Sequence, residues 1–206
     1  KDNPFPAACG LICEHPCELR CRRTMVDKAI NIRGLKRYAV EHEGEIKVPK
    51  IMDKTGKKVA IVGGGPSGLS AAYYLSIMGH DVTVYEQRKK LGGMLRYGIP
   101  AYRLPREILD HEIEGLMKTG FKVETDISIA QLKKDYDAVY VSIGAHTDKK
   151  LGIPGEDAEG VISAVEMLRN IGDDRYPDFS GLEVVVVGGG NVAMDVARSA
   201  VRLGAK

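Results

Sequence analysis

What the chain lacks sets the first limits. No apolar run approaches the ~20 residues that a membrane-crossing helix needs, and no secretory leader precedes the first motif. A soluble, cytoplasmic chain without a membrane span is therefore expected. Neither charge sign is in excess: 30 Lys and Arg stand against 28 Asp and Glu, and a net charge of +2 makes no case for nucleic acid as a partner. No nucleophilic serine, carboxylate pair or histidine with a partner at useful spacing emerges, so no catalytic residue is assigned. His80 follows a helix end at Met78-Gly79, where a cation is favoured, and a capping role is expected. No cysteine follows Cys21, which counts against redox cysteine chemistry in the body of the chain.

The 206 residues suffice for one large domain or two small ones, and a hydrophobic fraction of 44% with 28% charged residues is that of an ordinary globular protein. The chain opens on Lys1 and stops on Lys206 as a helix finishes, so a piece of something longer is expected. Arg20, Arg22, Arg23, Lys28, Arg33, Lys36 and Arg37 crowd the early part and read as a solvated face, with docking of an acidic partner the lesser alternative.

The cysteines fall at Cys9, Cys13, Cys17 and Cys21, a step of four. Such crowding in a cytoplasmic chain argues for metal or redox chemistry over structural disulfides. One straight helix through them would span ~18 Å at ~1.5 Å per residue, too long for one metal centre. Breaks at Gly10 and Pro16 are therefore predicted, or more than one centre. Thiolates suit iron–sulfur clusters and zinc alike. Iron–sulfur is favoured because no paired C-x-x-C supports zinc; zinc with His15 and plain thiols remain the alternatives. Residues 29–40 read as a short helix or turn with Ile30, Ile32 and Leu35 on its apolar side, and residues 49–56 as linker.

The strongest signal follows. Residues 57–62 read as a strand, then Gly63, Gly65, Pro66, Ser67 and Gly68 form a turn opening a helix. Gly63 lets the chain leave the strand, Gly65 lets backbone approach a pyrophosphate, and Gly68 lets helix and strand pack closely. Unpaired N–H groups at the helix start then face the anion. The next strand, residues 81–85, ends on Glu86, about 20 residues downstream, where an acid would hold a ribose hydroxyl. Gly92-Gly93-Met94 lets backbone pass close to something flat or charged. A helix over 106–119, a strand over 122–125, a turn capped by Ser128 and holding Ile129 and Leu132, and a buried strand over 138–143 ending at Gly144 complete the first unit. After a helix over 163–170, the pattern repeats. A strand over 183–187 precedes Gly188, Gly190, Asn191 and Val192, with Ala193 at the third glycine position, and a helix over 194–203. Two such turns imply two nucleotides.

With these pieces in place, the chain resembles the glutamate synthase small (beta) subunit family, whose relatives include dihydropyrimidine dehydrogenase and NAD(P)H:ferredoxin oxidoreductases. The resemblance rests on Asn3-Pro4-Phe5-Pro6 with the cysteines, residues 29–35, both glycine turns, residues 92–105, residues 142–145, Ile153-Pro154-Gly155 and residues 188–195. Of these, 92–105 is specific to the group and the glycine turns are not. The resemblance implies FAD on the first turn with Glu86 on its ribose and Gly93, Met94 and Gly144 near the flavin. It implies NAD(P)H on the second turn, and Cys13, Cys17 and Cys21 as ligands of a 4Fe-4S cluster whose other ligands lie outside this chain. Cys9 matches a position that is not generally a ligand. Lys36 falls where a relative uses a glutamine as ligand, so that site must differ.

The expected fold is α/β, with two Rossmann-like dinucleotide-binding folds, the second truncated, behind a small helical iron–sulfur half-domain. The divisions are 1–56, 57–150 and 151–206. The implied function is an oxidoreductase taking hydride from NAD(P)H onto FAD and passing electrons to a partner subunit or ferredoxin, the fragment alone being inactive. A pyridine-nucleotide thiol reductase and a non-catalytic nucleotide-binding or assembly module are the alternatives. The thiol reductase would need a cysteine pair near the flavin.

Overall fold

A computed structural model describes residues 3–44, 47–124 and 129–206. The cysteine segment folds as α1 (Pro6–Ile12), α2 (Pro16–Leu19), a short 3-10 turn (Arg22–Met25) and α3 (Ile32–Glu41). The predicted break at Pro16 is present: α1 stops at Cys13, His15 takes a left-handed φ of 43°, and Pro16 opens α2 at the position where its missing N–H costs nothing. The predicted break at Gly10 is not. Gly10 lies inside α1, where a Cβ would sit 3.0 Å from the Arg37 Cα, so it serves close approach of α1 to α3. Asn31 caps α3 by accepting the Gly34 N–H. Because α1 meets α3 across Arg37, two of the three residues of the predicted apolar side are left outward, Ile30 49% and Leu35 59% exposed, while Ile32 is half-buried.

A parallel sheet follows. β1 (Lys58–Val62) leads through α4 (Pro66–Ile77) to β2 (Asp81–Tyr85), then through α5 (Met94–Tyr97) and α6 (Arg106–Met117) to β3 (Lys122–Glu124). From there α7 (Ile129–Asp135) returns to β4 (Ala138–Val141), and the order is β3-β2-β1-β4. Val62 pairs with Tyr85 on one side and Val141 on the other, so the carboxyl ends of three strands finish together. β-branched residues in β1 and β2 meet Leu69, Leu104, Leu109 and Ile113 in the main core. Each fully buried side chain there is worth about 1.5–3 kcal/mol.

Several boundaries differ from the sequence reading. The strand predicted to be buried, β4, is exposed at all four residues: it lies at the sheet edge, and its faces lack the side-chain cover that β1 and β2 have. α6 stops before Thr119, whose hydroxyl donates to the Leu116 carbonyl while Gly120 turns the chain with φ 90°. Thr125, the predicted cap Ser128 and the Ile129 side chain lie outside the described residues. His80 caps α4 through its backbone N–H, 3.1 Å from the Leu75 carbonyl, while its ring bonds the Thr55 hydroxyl at 2.7 Å.

The last third builds its own small core. α8 (Ala164–Gly172), capped by Ser163, and α9 (Asn191–Arg202) pack Met167, Leu168, Val196 and Ala200 together with Val184 and Val186. α8 runs two residues past the predicted end, and α9 begins at Asn191 rather than Met194. The strand predicted over 183–187 is not formed among the described residues. Its side chains still alternate: Val184 and Val186 pack inward while Val185 and Val187 are 87% and 75% exposed. Strand structure requires ladder bonds to a neighbour, and no described segment supplies one.

Candidate functional site

The first glycine turn is assembled by backbone contacts that only glycine permits. Gly63 leaves β1 with φ 110°, and a Cβ there would lie 2.3 Å from the Ser142 carbonyl oxygen. A Cβ on Gly68 would lie 1.9 Å from the Gly63 oxygen, so helix and strand touch as the spacing predicts. Ser142, just past β4, donates its hydroxyl to the carbonyls of Val62 and Gly63 at 3.1 and 3.0 Å and holds the turn from below. Gly65 is the N-cap of α4 and has no side-chain cap, and Pro66 occupies the first helical position. The start of α4 thus keeps unpaired N–H groups and a positive dipole end for an anion. Ser67 in this first turn bonds the Tyr140 hydroxyl at 2.9 Å.

Glu86 lies where β2 ends, buried, and accepts the Gly64 N–H at 2.8 Å and the Arg88 N–H at 2.9 Å. Those two bonds orient a carboxylate that has further lone pairs for a hydroxyl. Gly93 closes on the same point. Its φ is 50°, and a Cβ would come 2.6 Å from the Gly65 Cα, while Gly92 donates its N–H to the Gly64 carbonyl at 2.9 Å. Met94 then starts α5, and Gly144 follows Ser142 with φ 69°. The structure therefore gathers Gly63, Gly65, Pro66, Ser67, Gly68, Glu86 and Gly93 at the strand ends, with Met94 and Gly144 on adjoining segments. This is where ligands of open parallel sheets bind.

Two arginines stiffen the loop beyond Gly93. Arg96 is buried, donates to the Leu91 carbonyl at 2.7 Å and pairs with Asp110. Arg106 donates to the carbonyls of Leu95 and Ile99 at 3.2 and 2.9 Å, and burial pulls its pKa below the usual arginine value. Arg88 reaches Asp173, the residue that follows α8, at 3.1 Å and lies over the Tyr97 ring. None of these links was read from the sequence.

The second turn has the same outline without the covering loop. Gly188 has φ 126°, Gly190 is the N-cap of α9 with no side-chain cap, and a Cβ on Gly189 or Gly190 would meet nothing within 4 Å. Asn191 donates its side-chain amide to Glu14 of the cysteine segment at 2.7 Å, and Val192 is half exposed. One turn on, Asp195 is buried and accepts from Arg103 at 2.6 Å and from the Tyr102 hydroxyl at 3.2 Å.

Both turns fit a dinucleotide on these grounds: a bare glycine at the helix start and no competing side-chain cap. The cysteines fit their group in kind only. Cys13 ends α1, Cys17 lies in α2 and Cys21 caps the 3-10 turn, and the His15 N–H points at the Cys13 sulfur at 3.4 Å. Among the described residues no three His, Cys, Asp or Glu side chains meet around a common point, so they do not by themselves build a cluster site. Lys36 is exposed.

A carboxylate the sequence did not single out sits between the cysteine segment and the sheet. Glu112 of α6 accepts the N–H groups of Ala7 and Ala8 at 2.5 and 3.0 Å, capping α1. Burial pushes its pKa up to about 7; the Ala8 and Ala7 N–H groups pull it down, and Glu43 pushes it further up. A cavity of about 490 Å³ adjoins it, lined by Leu11, Val40 and Ile108, away from both glycine turns.

The description of pyridine nucleotide-disulphide oxidoreductases matches residues 35–206. The chain belongs to the pyridine nucleotide-disulphide oxidoreductase family. A second description, dihydropyrimidine dehydrogenase domain II with a 4Fe-4S cluster, matches residues 1–48. NADP(+)-dependent formate dehydrogenase subunit beta of Moorella thermoacetica is 44% identical and aligns with 96% of this chain and 32% of its own length. Glutamate synthase (NADPH) small chain of Bacillus subtilis is 37% identical, aligning with 100% of this chain and 45% of its own. The chain thus spans less than half of the length of these relatives. Among solved structures, FprA of Mycobacterium tuberculosis in complex with NADPH matches with a TM-score of 0.60 and 30% identity, covering 69% of this chain and 36% of that one. A 2-naphthoyl-CoA reductase shares the fold, with a TM-score of 0.62 at 23% identity. The resemblance drawn from the motifs, the α/β class and the expected pyridine nucleotide and 4Fe-4S groups agree with these findings. The disulphide of the family name has no counterpart here, since residues 35–206 contain no cysteine. Among the described residues no helix is long and apolar enough to cross a membrane.

Proposed function

We propose that the whole protein is an NAD(P)H-oxidising flavoprotein of glutamate synthase small-subunit type that delivers electrons to a partner subunit or a ferredoxin. The observation that carries this reading is the convergence of Gly65, Glu86 and Gly93 at the ends of β1 and β2. FAD, when bound, accepts two electrons from NAD(P)H and releases them singly. The chain's own part is binding and orientation. The α4 start takes the pyrophosphate, Glu86 takes a ribose hydroxyl, and Gly93 with Met94 borders the ring. Gly188, Gly190, Asn191 and Val192 take the pyridine nucleotide. Cys13, Cys17 and Cys21 supply thiolates toward a cluster completed by residues outside this chain. Residues 1–56, 57–150 and 151–206 are the corresponding units.

Partner delivery is supported by the relatives' names, which are those of subunits. An anaerobic absorption spectrum of the whole protein, with and without NADPH or NADH, tests the reading. Flavin bands over broad iron–sulfur absorption, bleached by one nucleotide, are expected. A colourless protein would instead assign both turns to scaffolding and favour a non-catalytic binding module. Gly65→Glu places bulk and negative charge on the anion path and is expected to abolish flavin retention.

A further inference from the structure

We propose that Tyr102, Arg103 and Asp195 form a clasp that holds the second glycine turn in register with the loop bordering the flavin, making all three positioning residues for electron transfer between the two nucleotides. The inference rests on the functional reading above for its nucleotides, but not for its contacts. Asp195 follows Gly190 by little more than one helical turn and is 5% exposed. Its carboxylate accepts Arg103 Nη1 at 2.6 Å and the Tyr102 hydroxyl at 3.2 Å, and the same hydroxyl lies 3.3 Å from the Asp195 carbonyl oxygen. The Tyr102 ring lies on the same stripe of α9, with the guanidinium carbons of Arg198 and Arg202 at 4.6 and 4.2 Å from its centre. Burial, and then the neighbouring Asp195, push the Tyr102 phenol above its usual pKa.

The other end of the clasp is equally fixed. Tyr102 and Arg103 sit in a loop that Arg106 ties down through the Leu95 and Ile99 carbonyls, and that loop begins at Gly93, in contact with Gly65. A continuous path thus runs from the first turn to the second: Gly65, Gly93, the arginine-tied loop and Asp195, and from there along α9 to its N-cap Gly190. A buried carboxylate is stable only with its donors in place, so the clasp favours one relative placement of the two turns over neighbouring ones. Rates of transfer between bound groups are sensitive to such placement at the ångström level.

The test uses the full-length, cofactor-loaded protein with Asp195→Asn and the milder Tyr102→Phe, which keeps the ring. Hydrogen–deuterium exchange of residues 98–105 and 191–203 is expected to speed up about fivefold in each variant, the effect of one net hydrogen bond. Stopped-flow reduction of the flavin by NAD(P)H is expected to slow about tenfold at saturation, with flavin content and nucleotide Kd unchanged. Unchanged exchange in both variants would overturn the clasp. Faster exchange with an unchanged limiting rate, or a changed Kd alone, would overturn the positioning role. Absence of any flavin reduction in the wild type would count against the functional reading, while the exchange measurement would still decide the clasp.

Discussion

At the residue scale, glycines of equal rank in the sequence have unequal neighbours. A Cβ on Gly68 would overlap the Gly63 oxygen at 1.9 Å, whereas one on Gly65 would meet only the Gly93 Cα at an ordinary 3.6 Å. Gly68→Ala is therefore expected to lose at least about 2 kcal/mol of stability in a denaturant titration. Gly65→Ala should leave the titration midpoint nearly unmoved and weaken flavin affinity instead, read by flavin released on dilution. A Gly68→Ala protein as stable as the wild type would refute the packing argument. The glycine spacing was legible because a tight strand-to-helix turn needs glycines at fixed intervals, and the place of Glu86 because it ends the next strand. Glu112 and Asp195 were not: each stands among other polar residues on a helix, and burial of a carboxylate is decided by what docks against it. One clue to Glu112 was present, since it is flanked at helical spacing by Leu109 and Leu116, on the buried side.

At the element scale, α1 is attached to α6 through Glu112. Its folded pKa of about 7 lies above its ordinary value of 4.5, so the folded state retains a proton that the unfolded chain releases between those values. The contribution is thus fully present below pH 4.5 and is lost as pH rises through 7. Melting temperatures from pH 4.5 to 8 should fall more steeply for the wild type than for Glu112→Gln. Glu107, His111, Arg37, Lys118 and Glu43 line the adjoining cavity and are present in both proteins, so the comparison changes Glu112 alone. Identical pH profiles would refute the assignment. Helices were readable at this scale because periodicity is local, although the structure makes Asn31 and Ser163 N-caps, whereas the sequence reading places them within the helical stretches. Strands were less so. Residues 183–187 and β4 have the composition of buried strands, but pairing and cover come from elsewhere in the sequence.

At the scale of the whole molecule, apolar side chains gather where cover is missing. Val141 at the end of β4 and Ile143 just past it are 65% and 60% exposed, and Val185 and Val187 more so. Exposed edges with such residues promote association. The 206-residue chain on its own is expected to self-associate at micromolar concentration, and Val141→Lys with Val185→Lys to shift it toward monomer in size-exclusion chromatography. An unshifted elution profile would assign any association to another surface.

The hydroxyl that braces the first turn belongs to Ser142, far along the chain from Val62 and Gly63 whose carbonyls it meets. During synthesis β1, α4 and β2 can pair soon after they emerge, because their contacts are short in sequence. Ser142 arrives only after β3 and α7 have been made. The nascent chain therefore carries a glycine turn whose underside is unbraced for much of its translation, and on the function proposed above a flavin meets a braced turn only once β4 has docked. A ribosome-bound chain arrested before Ser142 leaves the tunnel should release flavin freely, and one arrested well beyond it should not.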